Sequence, residues 1–452
     1  MAKADRDAVL RARKRVPPSG GALLEDTEKM KQKHHRMLCA FCALVILVST
    51  VFPTAAFAEQ PVDEAAAEQT LTRADAAEMQ QADAAVTALT ESEQYQEMDT
   101  DARKDAALAQ LDTLAAKGLV EKDSIYTDEE NGMVSFRYPC GVLGGILLTE
   151  PEDETLDEEN AETETTSNAL LLRLPPDLGA EMQKSRAALL RRTENQAVEK
   201  FGTAVIYYAF DNTINSSRFP YYSYMQGFWS ALGLETKINI HVTVADLKKM
   251  GSYNVSVLSA HGSYYTYSYG KFLKRTRTEP IMLLTEESTF GKDLRYGFDL
   301  LAHRVIKVNG MYCVTSDFFR NAYKGGKLSN TIVYSETCEF LGVDGSEDNA
   351  MADALLSGGA QAVIGYVNNV YTVYSRSMLW DTINHLIMGQ NVGQALEHAK
   401  ATYGEDDLIW YYAQGGRRPH AAASYAVLYG NSQAALHVPE SNRSMFSADL
   451  AA

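Results

Sequence analysis

Two runs of β-branched residues, each ending in a reactive side chain, constrain this chain more than anything else in it. Asn254–Ser263 reads Asn-Val-Ser-Val-Leu-Ser-Ala-His-Gly-Ser and delivers His261 followed by Gly262. Thr331–Glu339 reads Thr-Ile-Val-Tyr-Ser-Glu-Thr-Cys-Glu and delivers Cys338, 77 residues after the histidine. Strands buried on both faces of a parallel sheet appear as near-continuous apolar runs. Open α/β sheets hold their ligands just beyond the carboxyl ends of such strands. A histidine and a cysteine at two such ends are therefore candidates for one site.

The residues around the two runs alternate in the way such a sheet requires. Apolar strands are predicted at 204–210, 236–242, 255–258, 332–334, 362–367 and 425–428. Helices are predicted between them: 220–232, stopped by Gly233; 244–250, capped by Thr243; 350–356; 373–388; and 392–403. This order implies an α/β fold with right-handed crossovers and about six core strands, with helices on both faces. Residues 264–312 interrupt the alternation. Within and just after them, 303–308 and 311–314 flank Asn309-Gly310 and predict an inserted hairpin, followed by a short helix from Ser316 to Tyr323. The run Tyr264-Tyr-Thr-Tyr-Ser-Tyr269 reads as part of a hairpin covering a sheet edge, or alternatively as an aromatic wall beside a substrate cleft.

The N-terminal part is organised differently. A basic stretch, Lys29–Arg36, precedes an apolar run, Met37–Phe52, then Pro53 and the small-x-small triplet Ala56-Phe57-Ala58. This is the pattern of an export signal. Residues 1–58 are read as a signal peptide cut between Ala58 and Glu59, and translation from Met30 would give it ordinary length. The expectation is a secreted or cell-surface protein, with no membrane contact once the signal is removed. Residues 59–149 read as an acidic helical leader, with an Ala107/Leu108/Leu111/Leu114/Ala115 stripe, followed by a small β module around the Asp128-Glu-Glu-Asn-Gly132 turn. That region is either a solvated spacer or a prosegment covering the site. In 150–165 nine of sixteen residues are acidic, so 150–200 reads as an acidic linker ending in a basic helix. A core domain at 201–435 and a tail at 436–452 complete the division.

Charge and cysteine content narrow the function. The chain carries a formal charge of −17; residues 1–58 hold ten basic and five acidic residues, so the remainder is near −22. Such a surface repels phosphate backbones, which argues against a nucleic-acid partner. Of five cysteines, Cys39 and Cys42 lie in the signal, leaving Cys140, Cys313 and Cys338. Three are too few for a disulfide framework. No zinc-protease His-Glu-x-x-His, Gly-x-Ser-x-Gly elbow or phosphate-binding Gly-rich loop occurs, and no cofactor or metal is expected. His385 and His398 fall on predicted helices and read as ordinary surface or core residues.

A cysteine hydrolase needs a thiolate nucleophile, a histidine to move protons, and backbone N–H groups for the oxyanion. His261 and Cys338 supply the first two, and Gly262 would allow close approach of its N–H. The strand-Ser-Ala-His-Gly, strand-Glu-Thr-Cys-Glu, Leu-Leu-Ser-Gly-Gly-Ala and Ala-Val-Ile-Gly-Tyr segments, with the closing Leu428–Asn431, resemble the caspase–hemoglobinase fold. That fold unites the clan CD cysteine peptidases: caspases, legumains, clostripain, gingipains and separase. The resemblance covers roughly 204–432. It implies a caspase-like three-layer sandwich, with a mostly parallel central sheet of about six strands, added to the helical N-terminal leader. It also implies a His261/Cys338 dyad with the Gly262 and Cys338 amides as oxyanion donors. Many relatives carry Ala before the cysteine, where this chain has Thr337. Glu336 and Asp211 are expected to line the substrate pocket, where a carboxylate would suit a basic side chain. The expectation is thus a monomeric cysteine endopeptidase acting on protein or peptide substrates through a thioester acyl-enzyme. The alternative is an inactive binding or scaffold protein of the same fold.

Overall fold

Several helices start on capping side chains that the sequence carries. The computed structural model describes residues 70–149, 178, 181–185, 198–210, 220–270, 274–408, 410 and 423–446. Residues 1–58, read above as an export signal, together with Asp211 and nearly all of the expected acidic linker and basic helix, lie outside the described residues. Helix α1 (Arg73–Thr90) opens on a capping box in which Thr72 and Asp75 bond each other's backbone amides. After the single turn α2 (Glu93–Gln96), α3 (Thr100–Ala116) opens on Asp99, whose carboxylate accepts from Ala102 N at 2.8 Å. Both long helices bury one face: Ala76, Met79, Ala82 and Val86 in α1, and Ala107, Leu111 and Leu114 in α3. The described residues belong to one compact unit that starts at Asp63.

A six-stranded sheet carries the core domain. Its strands are β4 (Gly202–Ala209), β5 (Leu234–Asn239), β6 (Val255–Ala260), β11 (Ile332–Ser335), β14 (Ala362–Val367) and β15 (Tyr425–Gly430), with a separate two-stranded ribbon, β12 (Gly342–Val343) and β13 (Ser346–Glu347), between β11 and β14 in the sequence. The six lie in the order β15-β14-β11-β6-β4-β5. All neighbours are parallel except β15, which returns antiparallel along β14 with Val363 opposite Tyr429. Alternate residues enter different cores, as the two-residue period of a strand requires. Ile206, Val257, Tyr334 and Ile364 pack with α4 (Pro220–Ala231), α9 (Thr372–Ile387) and α10 (Val392–Tyr403). Val205, Leu258, Val333 and Val363 pack on the other side with α5 (Val244–Leu247), α7 (Ser316–Ala322) and α8 (Ala350–Ser357). The sheet is therefore sandwiched between helices.

The other sheet is larger than the sequence suggests. It has seven strands in the order β1-β2-β3-β9-β10-β8-β7. Three come from the N-terminal module: β1 (Tyr126–Asp128), β2 (Met133–Arg137) and β3 (Leu143–Leu147). Four come from the insertion: β7 (Gly262–Tyr269), β8 (Arg275–Glu287), β9 (Val305–Val308) and β10 (Met311–Thr315). The β9–β10 hairpin turns at Asn309-Gly310 as expected, with both residues at positive φ (49° and 78°). The Tyr264–Tyr269 run does not cover an edge of the core sheet. Tyr265 and Tyr267 instead fill a third cluster with Met133, Ile281 and Ile306, and Tyr265 donates to Gly144 O at 2.8 Å. The sheet closes through the parallel pair β3–β9, which joins residues more than 160 positions apart.

A buried ionic group fixes the leader to this sheet. Lys307 on β9 is 1 % exposed and pairs with Asp83 of α1 and, at 2.9 Å, with Asp293 of α6 (Phe290–Leu301). Tyr138 donates to Asp83, and Tyr312 donates to Asp293 at 2.7 Å. Every charge in the group has an opposite charge or a donor beside it, the condition under which buried ions are tolerated.

Candidate functional site

The strand order places a crevice where a ligand site belongs. From β4 the chain goes outward to β5, then back past β4 to β6, so β4 and β6 are neighbours whose connections leave in opposite directions. The carboxyl ends at such a reversal leave a gap. A cavity of about 370 Å³ opens there, lined by His261, Gly262, Cys338, Glu336, Phe210 and Tyr222 among others. Four residues named from sequence, His261, Gly262, Glu336 and Cys338, therefore meet in one cleft. Asp211 follows Phe210 but lies outside the described residues.

His261 stands between the two sheets. It is the single residue separating β6, in the core sheet, from β7, in the second sheet. Its carbonyl accepts from Leu283 N at 2.9 Å. Its half-buried ring meets the Phe210 ring edge-on, with centroids 4.6 Å apart and planes at 88°. Phe210 therefore limits how the imidazole can turn.

Cys338 is delivered by a tight turn after β11. Glu336 N donates to Leu258 O at 2.7 Å, extending the β6 pairing one residue past the strand. Thr337 N donates to Ser335 Oγ at 3.2 Å, and Glu339, at φ 53°, sends its N–H to Asn368 O at 3.0 Å. The Cys338 Sγ lies 3.9 Å from Val370 O. The turn seats directly on the other strand end. A methyl group added to Gly262 would overlap the carbonyl oxygen of Cys338 and approach Thr337 Cγ2 to 2.5 Å. Only glycine permits this contact. Thr337 itself is fully buried, and its hydroxyl has no hydrogen-bond partner there. Of the three described cysteines, Cys313 and Cys140 have thiols pushed upward by burial, and neither lines the cavity.

Glu336 forms the floor. It is 4 % exposed, and one carboxylate oxygen accepts from Tyr222 Oη at 2.9 Å, the other from Ser375 Oγ at 3.4 Å. Tyr222 also shares a hydrogen bond with Ser259 at 3.0 Å and accepts one from Arg376 Nε at 3.3 Å. Burial pushes the Glu336 carboxyl up to about 7, opposed by the nearby Arg376 charge and by hydrogen bonds. Glu339, on the cavity wall, is likewise raised to about 7 by burial and by the charge of Asp344.

Sequence reasoning left the other wall open, between a solvated spacer and a segment covering the site. Thr100, Glu129, Glu130, Asn131, Gly132, Leu147 and Thr149, all from the N-terminal module, line the same cavity. The β1–β2 turn was legible as a turn, but its place over the cleft depends on the distant β3–β9 pairing. The Tyr264–Tyr269 side chains are not among the lining residues, so the aromatic wall considered above is not formed. Four acidic side chains and no Lys or Arg line the cavity among the described residues. A thiol, an imidazole and backbone amides beside an acidic pocket suit acyl transfer on a substrate carrying positive charge. A scan of known family models found no match to the chain, and no curated protein matched it.

Proposed function

We propose that the protein is an exported cysteine endopeptidase of the caspase–hemoglobinase type, acting after basic residues. The observation that carries the reading is the seating of Gly262 on the Cys338 carbonyl, which puts the His261 and Cys338 strand ends against each other at one mouth. The six-stranded, mostly parallel sheet between two helical layers supports the fold assignment.

In this reading His261 takes the Cys338 thiol proton, the thiolate sulfur attacks the substrate carbonyl carbon, and the Gly262 and Cys338 amides face the developing oxyanion. His261 delivers a proton to the departing amine, leaving a thioester on Cys338. It then takes a proton from the water that attacks the thioester and passes it to the departing Cys338 sulfur, which frees the acid and restores the thiol. Glu336 and the acidic wall attract the Arg or Lys side chain that precedes the cut. Arg376 behind Glu336 reduces the local negative potential, so the wall residues Glu129, Glu130 and Glu339 share that role.

An Arg- or Lys-peptidyl acyloxymethyl ketone should modify Cys338 stoichiometrically in the exported protein. A fluorogenic panel should then show cleavage after Arg or Lys. Cys338→Ala should abolish both, and His261→Ala should reduce both to background. Proteolysis that survives in Cys338→Ala overturns the dyad. Cleavage confined to neutral or acidic residues overturns the specificity. A folded protein that neither labels nor cleaves returns the chain to the binding-protein alternative.

A further inference from the structure

His385 and His398, which read from sequence as ordinary helix residues, meet Asp381 in a cluster that takes no part in the proposed chemistry. Asp381 and His385 lie four residues apart on α9, hence on one face; His398 comes from the facing side of α10. Each residue offers one ligand atom, and these atoms all lie within 4.8 Å of one another. The imidazole rings overlap with centroids 3.7 Å apart and planes at 35°. His398 Nδ1 is 2.7 Å from one Asp381 oxygen, and His385 Nε2 is 3.7 Å from the other.

His385 is the unexplained member. It is 4 % exposed, yet neither ring nitrogen has a hydrogen-bond partner. Gln390 approaches the ring without reaching hydrogen-bond geometry. Leaving a buried polar group unmet is costly, and such groups in folded proteins ordinarily have a partner. The cluster also feels a second negative charge, from Glu181, acting on Asp381.

We propose that Asp381, His385 and His398 bind a divalent transition-metal ion, best zinc, which ties α9 to α10. Two imidazoles and a carboxylate are a donor set suited to zinc. Tetrahedral bonds to zinc place ligand atoms about 3.4 Å apart, within the range of separations seen here. His398 has a side chain 47 % exposed, with room to reorient, and that open side leaves a fourth position for water. The metal completes the coordination of His385, whose nitrogen otherwise faces carboxylate at more than hydrogen-bond distance. The tie acts on the helix that also carries Ser375 and Arg376 behind the cleft.

The test uses the full chain with Cys338→Ser, stripped by chelator and titrated with Zn²⁺ by calorimetry and with Co²⁺ by absorption. One ion per chain should bind, the cobalt spectrum should lack a thiolate charge-transfer band, and the melting temperature should rise. His398→Gln, at an exposed position that folding does not require, should weaken binding at least about tenfold, as should Asp381→Asn. The proposal is overturned if neither ion binds, or if both variants keep the parent affinity. Because the thiol is already absent, the outcome is independent of the proposed peptidase activity.

Discussion

The two sheets handle buried charge in opposite ways. In the seven-stranded sheet, Lys307 is enclosed with Asp83 and Asp293, with Tyr138 and Tyr312 donating to the carboxylates. In the six-stranded sheet, Glu336 sits on a cavity floor, with Arg376, Tyr222 and Ser375 behind it and open space in front. The first arrangement is closed and its energetics are structural. The second leaves a carboxyl facing a space that another molecule can enter. Burial alone therefore does not separate the two groups; the open space in front of Glu336 does.

The largest expected effect breaks the closed network. Lys307→Ala leaves two carboxylates facing each other without their cation, and should cost about 3–5 kcal/mol of stability. A urea midpoint that barely moves would show that the two groups are not as different as argued. Adding Asp83→Asn and Asp293→Asn should recover much of the loss, because it removes the uncompensated charge.

Next comes the contact between the strand ends. Gly262→Ala must push the Cys338 turn away from β7, and misplacing catalytic groups by about 1 Å costs on the order of 10²-fold in rate. The expected result is a folded protein whose labelling by a peptidyl ketone is slowed that much. Its reaction with small iodoacetamide should change far less. Equal slowing with both reagents would mean that the turn, not the oxyanion geometry, had failed.

The smallest effect concerns Glu336 and pH. Its carboxyl is raised in the folded chain from an ordinary 4.5 to about 7. The sign follows from linkage: the folded form holds this proton more tightly than the unfolded chain does. Its contribution to stability is fully present below about pH 4.5 and is lost as pH rises through 7. Around it stand Arg376 and Ser375 of α9, Tyr222 of α4 and Ser259 of β6. Glu336→Gln should flatten that part of the stability profile and lower turnover of Arg and Lys substrates most above pH 7. An unchanged profile would remove Glu336 from both roles.

How much of this was readable follows the range of the interactions. The runs ending at His261 and Cys338 were legible because a buried parallel strand writes its burial into consecutive residues. The helices at 220–231, 350–357 and 392–403 were legible from their spacing and stops. The antiparallel direction of β15 was not, because nothing within a strand records which way its neighbour runs. Strand β5 starts at Leu234, two residues before the predicted start, because Leu234 and Thr236 both turn inward. Lys307 looks like any surface lysine, since its partners lie 224 residues before it on α1 and 14 before it on α6. His385 and His398 become a pair only when α9 and α10 dock. Glu339 stands beside Cys338 in the sequence, but its place on the cavity wall comes from a positive-φ turn.

The mixed parentage of the seven-stranded sheet has a consequence for cleavage of the chain. β1–β3 and the rest of that sheet are separated along the chain by residues 148–261, yet joined across space by the β3–β9 ladder and the Lys307 group. A protease acting anywhere between Thr149 and Val198 would cut no described strand of either sheet. The product would be a two-chain particle, separable on a denaturing gel but migrating as one species in native buffer. Its N-terminal chain would still supply Glu129 to Gly132 to the mouth of the cleft.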